Sequence, residues 1–178
     1  MLTIWFEPHA TTIDNEAKQA SGWKDVDLSE LGKQQALEMI ERNRGRDLDA
    51  IFCSDLQRAV KTVVPSARNL HIPMYPDERL RECDYGDMTG DPVKAVNAER
   101  ERRVDIPYPN GESYRDCMNR MKSFYGWLRD NFDGKTVLII GHRATHYGLD
   151  VWIEGKTLED TIAEAAAWQW QPGWKYTV

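Results

Sequence analysis

The stretch "GKTVLIIGH" (Gly134 to His142) sets an apolar run between two glycines and ends on a histidine. A short run of this kind, without the polar alternation of a half-exposed strand, suits a buried parallel strand covered by helices on both faces. Working outward, "LTIWF" (Leu2 to Phe6) is a second strand of β-formers, expected to break at Glu7-Pro8, where proline removes a ladder donor. "DAIFCS" (Asp49 to Ser54) is a third. Helical patterns alternate with these strands. Asp27 to Asn43 has Ser29 as N-cap and Leu31, Met39 and Ile40 on an apolar face. Leu56, Ala59, Val60, Val63, Ala67 and Leu70 recur at three and four, with Pro65 as a candidate kink. Cys117, Met121, Phe124 and Leu128 mark another helix, and a further one is expected from about Ala144. "TLED" (Thr157 to Asp160) resembles a capping box for the last helix, and "WQWQPGWKYTV" (Trp168 to Val178) predicts an edge hairpin around Pro172-Gly173. The alternation predicts a three-layer α/β/α sandwich with a mostly parallel central sheet.

The chain has 178 residues, of which 41% are apolar and 29% charged, a globular balance that fits a single domain over 1–178. Five prolines from Pro73 to Pro109 and three glycines punctuate the section up to Gly111, which predicts a small loop-rich cap at about 84–112 with a short helix near Val93 to Arg103. The net charge of −6, with basic residues scattered among acids, argues against nucleic acid as a partner. "AERERR" (Ala98 to Arg103) alternates in sign and reads as a solvated helix face. Cys53, Cys83 and Cys117 are odd in number and widely spaced, so neither a disulfide framework nor a thiolate zinc site is indicated. The first ten residues lack the pattern of a secretory leader, and no apolar run approaches a membrane span. The expectation is a cytoplasmic protein without membrane contact.

Chemistry enters at the strand ends. His9 and His142 each follow a predicted strand, and in open α/β sheets the loops at the carboxyl ends of strands form the ligand crevice. A histidine at such a place is by itself more often structural. "CSDLQRA" (Cys53 to Ala59) adds Arg58 in the first turn of a helix, whose free N–H groups and guanidinium together favour an anion. "RLRECDYGDMTG" (Arg79 to Gly90) adds Glu82, a carboxyl suited to general acid catalysis if burial raises its pKa.

These pieces resemble the histidine phosphatase superfamily, also called the phosphoglycerate mutase-like family, over nearly the whole chain. After His9 come Asn15, "SGW" (Ser21 to Trp23), "DVDLSELG" (Asp25 to Gly32), "SDLQRA" (Ser54 to Ala59), "LRECDYG" (Leu80 to Gly86), "NGES" (Asn110 to Ser113) and "VLIIGH" (Val137 to His142), in the family's order. The resemblance implies a phosphoglycerate mutase-like fold and two-step phosphoryl transfer, with His9 as the nucleophile that becomes phosphohistidine. It implies that Arg58, His142 and Asn15 hold the non-bridging oxygens and that Glu82 protonates the leaving alkoxide and then activates water. Thr12 joins them as a candidate substrate-binding residue. No cofactor and no metal are called for.

Two departures stand out. The family's Arg-His-Gly reads "PHATT" here (Pro8 to Thr12), so an arginine that would bind phosphate is replaced by Pro8, which has no side-chain donor. The family's Ser-His-Gly reads "GHR" (Gly141 to Arg143), so an arginine has arrived beside the second histidine. One reading joins the changes, with Arg143 folding back to restore the charge lost at Pro8; the other turns Arg143 to solvent or pairs it with Glu7 or Asp14. Glu7, Asp14 and Glu16 either face away from His9 or favour a partly cationic substrate. His142 and His146 have the four-residue spacing of zinc ligands, but without the glutamate of H-E-x-x-H a packed His146 is the stronger reading.

The sequence therefore predicts a metal-independent phosphatase acting on a small phosphorylated metabolite. The alternative is a catalytically silent phosphate-ligand-binding or interaction module, and a mutase is disfavoured by the short cap. Tyr85, Tyr108 and Tyr114 are candidates to touch the leaving group. The tail carrying Trp168, Trp170 and Trp174 reads as core, with its edge hairpin a candidate homodimer surface.

Overall fold

The computed structural model describes residues 1–164 and 173–178. The apolar run Thr136–Gly141 is strand β4, and it lies at the centre of a five-stranded sheet. In chain order the elements are β1 (Thr3–Pro8), α1 (Ile13–Glu16), α2 (Glu30–Arg44), β2 (Ala50–Cys53), α3 (Gln57–Leu70), β3 (Met74–Pro76), α4 (Val93–Glu99), α5 (Tyr114–Asn131), β4, α6 (Arg143–Trp152), α7 (Leu158–Glu164) and β5 (Trp174–Thr177). The strand order is β3-β2-β4-β1-β5, parallel throughout except for β5, which runs antiparallel to β1.

The apolar run divides between two cores because successive strand side chains point to opposite faces. Val137 and Ile139 enter the larger core with Phe52 of β2, Phe124 of α5 and Leu149 of α6. Leu138 and Ile140 enter the smaller one with Ile51, Met39 of α2 and Val63 of α3. All four are fully buried, and the helices on both sheet faces make the three-layer α/β/α sandwich.

Local expectations mostly hold at the caps. The Ser29 hydroxyl accepts from the Gly32 N–H at 3.2 Å, and the Thr157 hydroxyl accepts from the Asp160 N–H at 3.1 Å. Leu31 departs from its assigned apolar face and is 50% exposed, leaving Gly32, Ala36, Met39 and Asn43 as the buried stripe of α2. Helix α3 runs unbroken through Pro65. The cap helix α4 ends at Glu99, four residues short of the expected Arg103. Two short elements were hidden by proline and by length: β3, with proline before it and at its end, and the single-turn α1. Strand β1 continues through Pro8, beyond the expected stop. It can do so because the His9 N–H, not that of residue 8, bonds the Gly141 carbonyl, while β5 pairs only as far as Phe6. At the tail, β5 adds an edge strand after Gly173, whereas Trp168, Trp170 and Pro172 lie outside the described residues. None of the described helices is long and apolar enough to cross a membrane.

One close approach fixes the loop after β1. A Cβ at Gly32 would lie 1.9 Å from the Thr11 carbonyl oxygen, so only glycine lets the first turn of α2 rest on the His9 loop. Gly32→Ala is expected to lower stability by about 1–3 kcal/mol through overpacking, measured by urea unfolding, and to displace the His9 loop.

Candidate active site

The ends of β1 and β4 are paired, Pro8 opposite Gly141, so the residues that follow them emerge side by side. The His9 N–H donates to the Gly141 carbonyl at 2.9 Å and locks the two ends together. The imidazoles of His9 and His142 consequently face one another, with ring centroids 5.1 Å apart and planes inclined by 57°.

Their hydrogen bonds define the tautomers. His9 Nδ1 lies 2.8 Å from the Ala10 carbonyl, which can only accept, so Nδ1 carries the proton and Nε2 carries the lone pair. His142 Nδ1 lies 3.3 Å from Arg58 Nη2, which can only donate, so the proton of His142 sits on Nε2. That Nε2 is buried and has no hydrogen-bond partner among the described residues. One ring is thus arranged as a nucleophile and the other as a donor. Burial, reinforced by the Arg58 charge, holds the His9 pKa down to about 3, and burial followed by the charge of Arg58 holds His142 well below the ordinary histidine value. Both rings are neutral at neutral pH.

Arg58 is 2% exposed, the second residue of α3, and it donates to the carbonyls of Gly22 at 2.8 Å and Lys24 at 3.0 Å. The loop containing "SGW" is tied to the anion site by these bonds. Glu82 arrives from the segment between β3 and α4 and is held by three backbone donors. Its Oε1 accepts from Cys83 at 2.8 Å and Ala144 at 3.2 Å, and its Oε2 from Arg143 at 3.2 Å. Two of those N–H groups open α6, so the carboxyl sits on the helix N-terminus that follows His142.

His9, Arg58, Glu82, His142, Asn15 and Arg143 all line one cavity of about 560 Å³. Asn15 also caps α1, its Oδ1 accepting from the Thr12 N–H at 3.0 Å. Thr12 has a different task from the one expected of it: it is fully buried as the N-cap of α1, its hydroxyl accepts from the Asn15 N–H, and Thr11 lines the cavity instead. Tyr85 lines the cavity, whereas Tyr108 and Tyr114 are 1% exposed and belong to the core beneath the cap. Two of the acids around His9 are neutralised by other groups, and the third, Glu16, is exposed. Glu7 points to the opposite sheet face and is bound by Arg42 at 3.1 Å and Arg46 at 2.5 Å. Asp14 accepts from Ser21 and Lys24. Arg143 lines the cavity, with its charge close to the Tyr147 hydroxyl. His146 is packed, stacked on Phe6 with centroids 5.3 Å apart.

Arg100 was missed in the sequence. It caps the end of α4 at 7% exposure, hydrogen-bonds Asn97, and lies against the cavity amid Tyr85, Tyr114 and Tyr147. It belongs to the "AERERR" run, where sign alternation suggested solvent. Arg102 in that run is exposed, but Arg100 faces inward and gives the cap a cation over the cavity.

On this fold, paired neutral imidazoles beside a buried guanidinium and a carboxyl define a protein that handles a phosphoryl group. Sequence comparison reaches the same class, with residues 4–170 matching the family model for histidine phosphatase superfamily (branch 1). The chain belongs to that superfamily, whose general chemistry runs through a phosphohistidine. It is 30% identical to the uncharacterized phosphatase PhoE of Bacillus subtilis (strain 168), over 87% of this chain and 79% of that one. It is 34% identical to a 2,3-bisphosphoglycerate-dependent phosphoglycerate mutase of Chelativorans sp. (strain BNC1), over 90% and 85%. Among solved structures it is similar to a mycobacterial glucosyl-3-phosphoglycerate phosphatase complexed with VO3, at a TM-score of 0.79 and 26% identity over 90% of this chain and 86% of that one.

Proposed function

We propose that this protein hydrolyses a small phosphomonoester through phospho-His9. The observation that carries the reading is the pair of opposed tautomers, a lone pair on His9 Nε2 and a proton on His142 Nε2, beside buried Arg58. His9 Nε2 attacks phosphorus, and the P–O bond to the leaving group breaks as Glu82 gives that oxygen its proton. Water, deprotonated by Glu82, then attacks the phosphohistidine; the P–N bond breaks and inorganic phosphate leaves. Arg58, His142 and Asn15 hold the non-bridging oxygens through both steps, and no step calls for a metal. The small cap at about 84–112, with its one seven-residue helix, favours hydrolysis over retention of an intermediate as a mutase requires. Arg100 and Asn97 face the leaving group from that cap. We place the protein in the cytoplasm, acting as a single domain on a phosphorylated metabolite, and take the β5 edge as its candidate homodimer surface.

Arg143 supplies the charge missing at Pro8. Both residues line the cavity, and Arg143 is anchored at the N-terminus of α6 through Glu82. Phosphate release from an aryl phosphate and a panel of small phosphomonoesters, with chelator present, tests the reading. Arg143→Ala is expected to lower kcat/KM by about 10²–10³-fold, the effect of losing one oxyanion donor. Unchanged activity in that variant removes the replacement account. No release by the native protein on any ester favours the silent binding module, which the loss of arginine at position 8 would explain.

A further inference from the structure

We infer that Arg120, paired with Glu112, is a positioning residue for Glu82, and that this clamp sets the protein's ability to expel poor leaving groups. The inference rests on the proposed role of Glu82 as acid.

Arg120 lies on α5, outside the cavity lining, yet all five of its guanidinium N–H groups are engaged. Nη1 donates to the carbonyls of Arg79 at 2.8 Å and Arg81 at 2.9 Å, and Nη2 to the carbonyl of Glu82 at 2.8 Å. Nε and Nη2 donate to the two carboxylate oxygens of Glu112 at 2.8 and 2.9 Å. One rigid planar fork therefore fixes three carbonyls within four consecutive residues, and an ammonium cannot reproduce that geometry. Glu112 completes the brace from the other side of Glu82, because its Oε2 accepts the Asp84 N–H at 3.0 Å. The loop is held immediately before and after the acid, and Trp23 adds a donor to the Glu82 carbonyl at 2.7 Å.

This bracing matters because, among the described residues, the Glu82 carboxyl has backbone partners alone. It rests on the N–H groups of Cys83, Arg143 and Ala144. Loosening the loop moves the carboxyl away from the α6 N-terminus, where it faces the leaving oxygen. Catalytic geometry tolerates little displacement, so the loss falls on proton transfer before it falls on phosphate binding. Cys83 and Cys117 lie beside Glu112 and their thiols are pushed up by burial, which suits packing around the clamp rather than chemistry of their own.

The test compares kcat/KM for a dinitrophenyl phosphate, which leaves without help, with an alkyl phosphate such as glycerol phosphate, which needs an acid. Glu82→Gln is the reference and is expected to lose about 10²–10⁴-fold on the alkyl ester and far less on the aryl ester. Arg120→Met and Glu112→Gln are expected to show the same selective loss, about tenfold or more on the alkyl ester, with Arg120→Lys recovering part of it. Thermal unfolding with circular dichroism checks that each variant is folded; should Arg120→Met fail to fold, Glu112→Gln and Arg120→Lys carry the comparison. Equal loss on both esters in folded variants, with Glu82→Gln still selective, overturns the positioning role and leaves the phosphatase reading intact. Equal loss on both esters in Glu82→Gln overturns both.

Discussion

Replacing His9 by alanine is expected to lower phosphate release by about 10⁴-fold or more, because a covalent mechanism has no second route once its nucleophile is gone. The Nε2 lone pair faces the cavity only because Nδ1 is committed to the Ala10 carbonyl, so no neighbouring ring substitutes for it; His142 offers a proton in that direction. A brief incubation of native protein with labelled substrate, followed by denaturation, should trap a phosphoramidate that survives alkali and is lost in acid, and the variant should trap none. Activity retained in His9→Ala would remove the covalent route. The variant carries a second signature in stability. The His9 pKa is held down to about 3 in the folded protein, below the unfolded value near 6.5, so folding is disfavoured progressively as pH falls from about 6.5 through 3. Removing the ring removes its share of that penalty, so acid unfolding measured by fluorescence should begin at lower pH in His9→Ala than in the native protein.

Some of this site was legible from residues alone and some was not, for reasons that differ by residue. "VLIIGH" could be read because a short buried strand leaves a local signature, and the strand holding "LTIWF" runs on to Pro8 so that His9 follows it directly; topology then brings the two rings together. Pro8 misled because a proline rule about ladders does not say which side of the strand lacks a partner, and β5 stops before it gets there. Arg100 was invisible because sign alternation describes a stretch, while inward rotation of one residue depends on the tyrosines packed under the cap. Thr12 shows the reverse error. It sat near His9 in sequence, but a hydroxyl at the start of a single helical turn caps the turn before it can reach a ligand. Arg120 has no local signal at all, since three of its five bonds cross about forty positions of sequence.

Arg58→Met is expected to lower activity strongly, and its consequences separate charge from scaffold. The guanidinium is the most buried cation in the cavity, so its loss should lower kcat/KM by about 10²–10³-fold through lost stabilisation of the phosphoryl oxygens. Stability should change far less. The Gly22 and Lys24 carbonyls each lose a donor, at about 1–3 kcal/mol for a group left buried without one, but a desolvated cation bonded to two carbonyls and a neutral imidazole, and to no carboxylate among the described residues, is removed at the same time. The pH dependence then identifies which of these matters. Arg58 helps hold the pKa of both His9 and His142 down, so its removal raises both toward the ordinary histidine value. Native kcat/KM should show no acid limb from His9 near pH 6.5, whereas the variant's acid limb should move toward neutrality as His9 protonates and loses its lone pair. Inorganic phosphate supplies the complementary measurement, since a ligand that binds only the folded state raises Tm with concentration. That shift should be present in the native protein and absent in Arg58→Met. A variant with native pH dependence and a native phosphate shift would place the anion site elsewhere in the cavity, and the roles assigned to His9 and His142 would have to move with it.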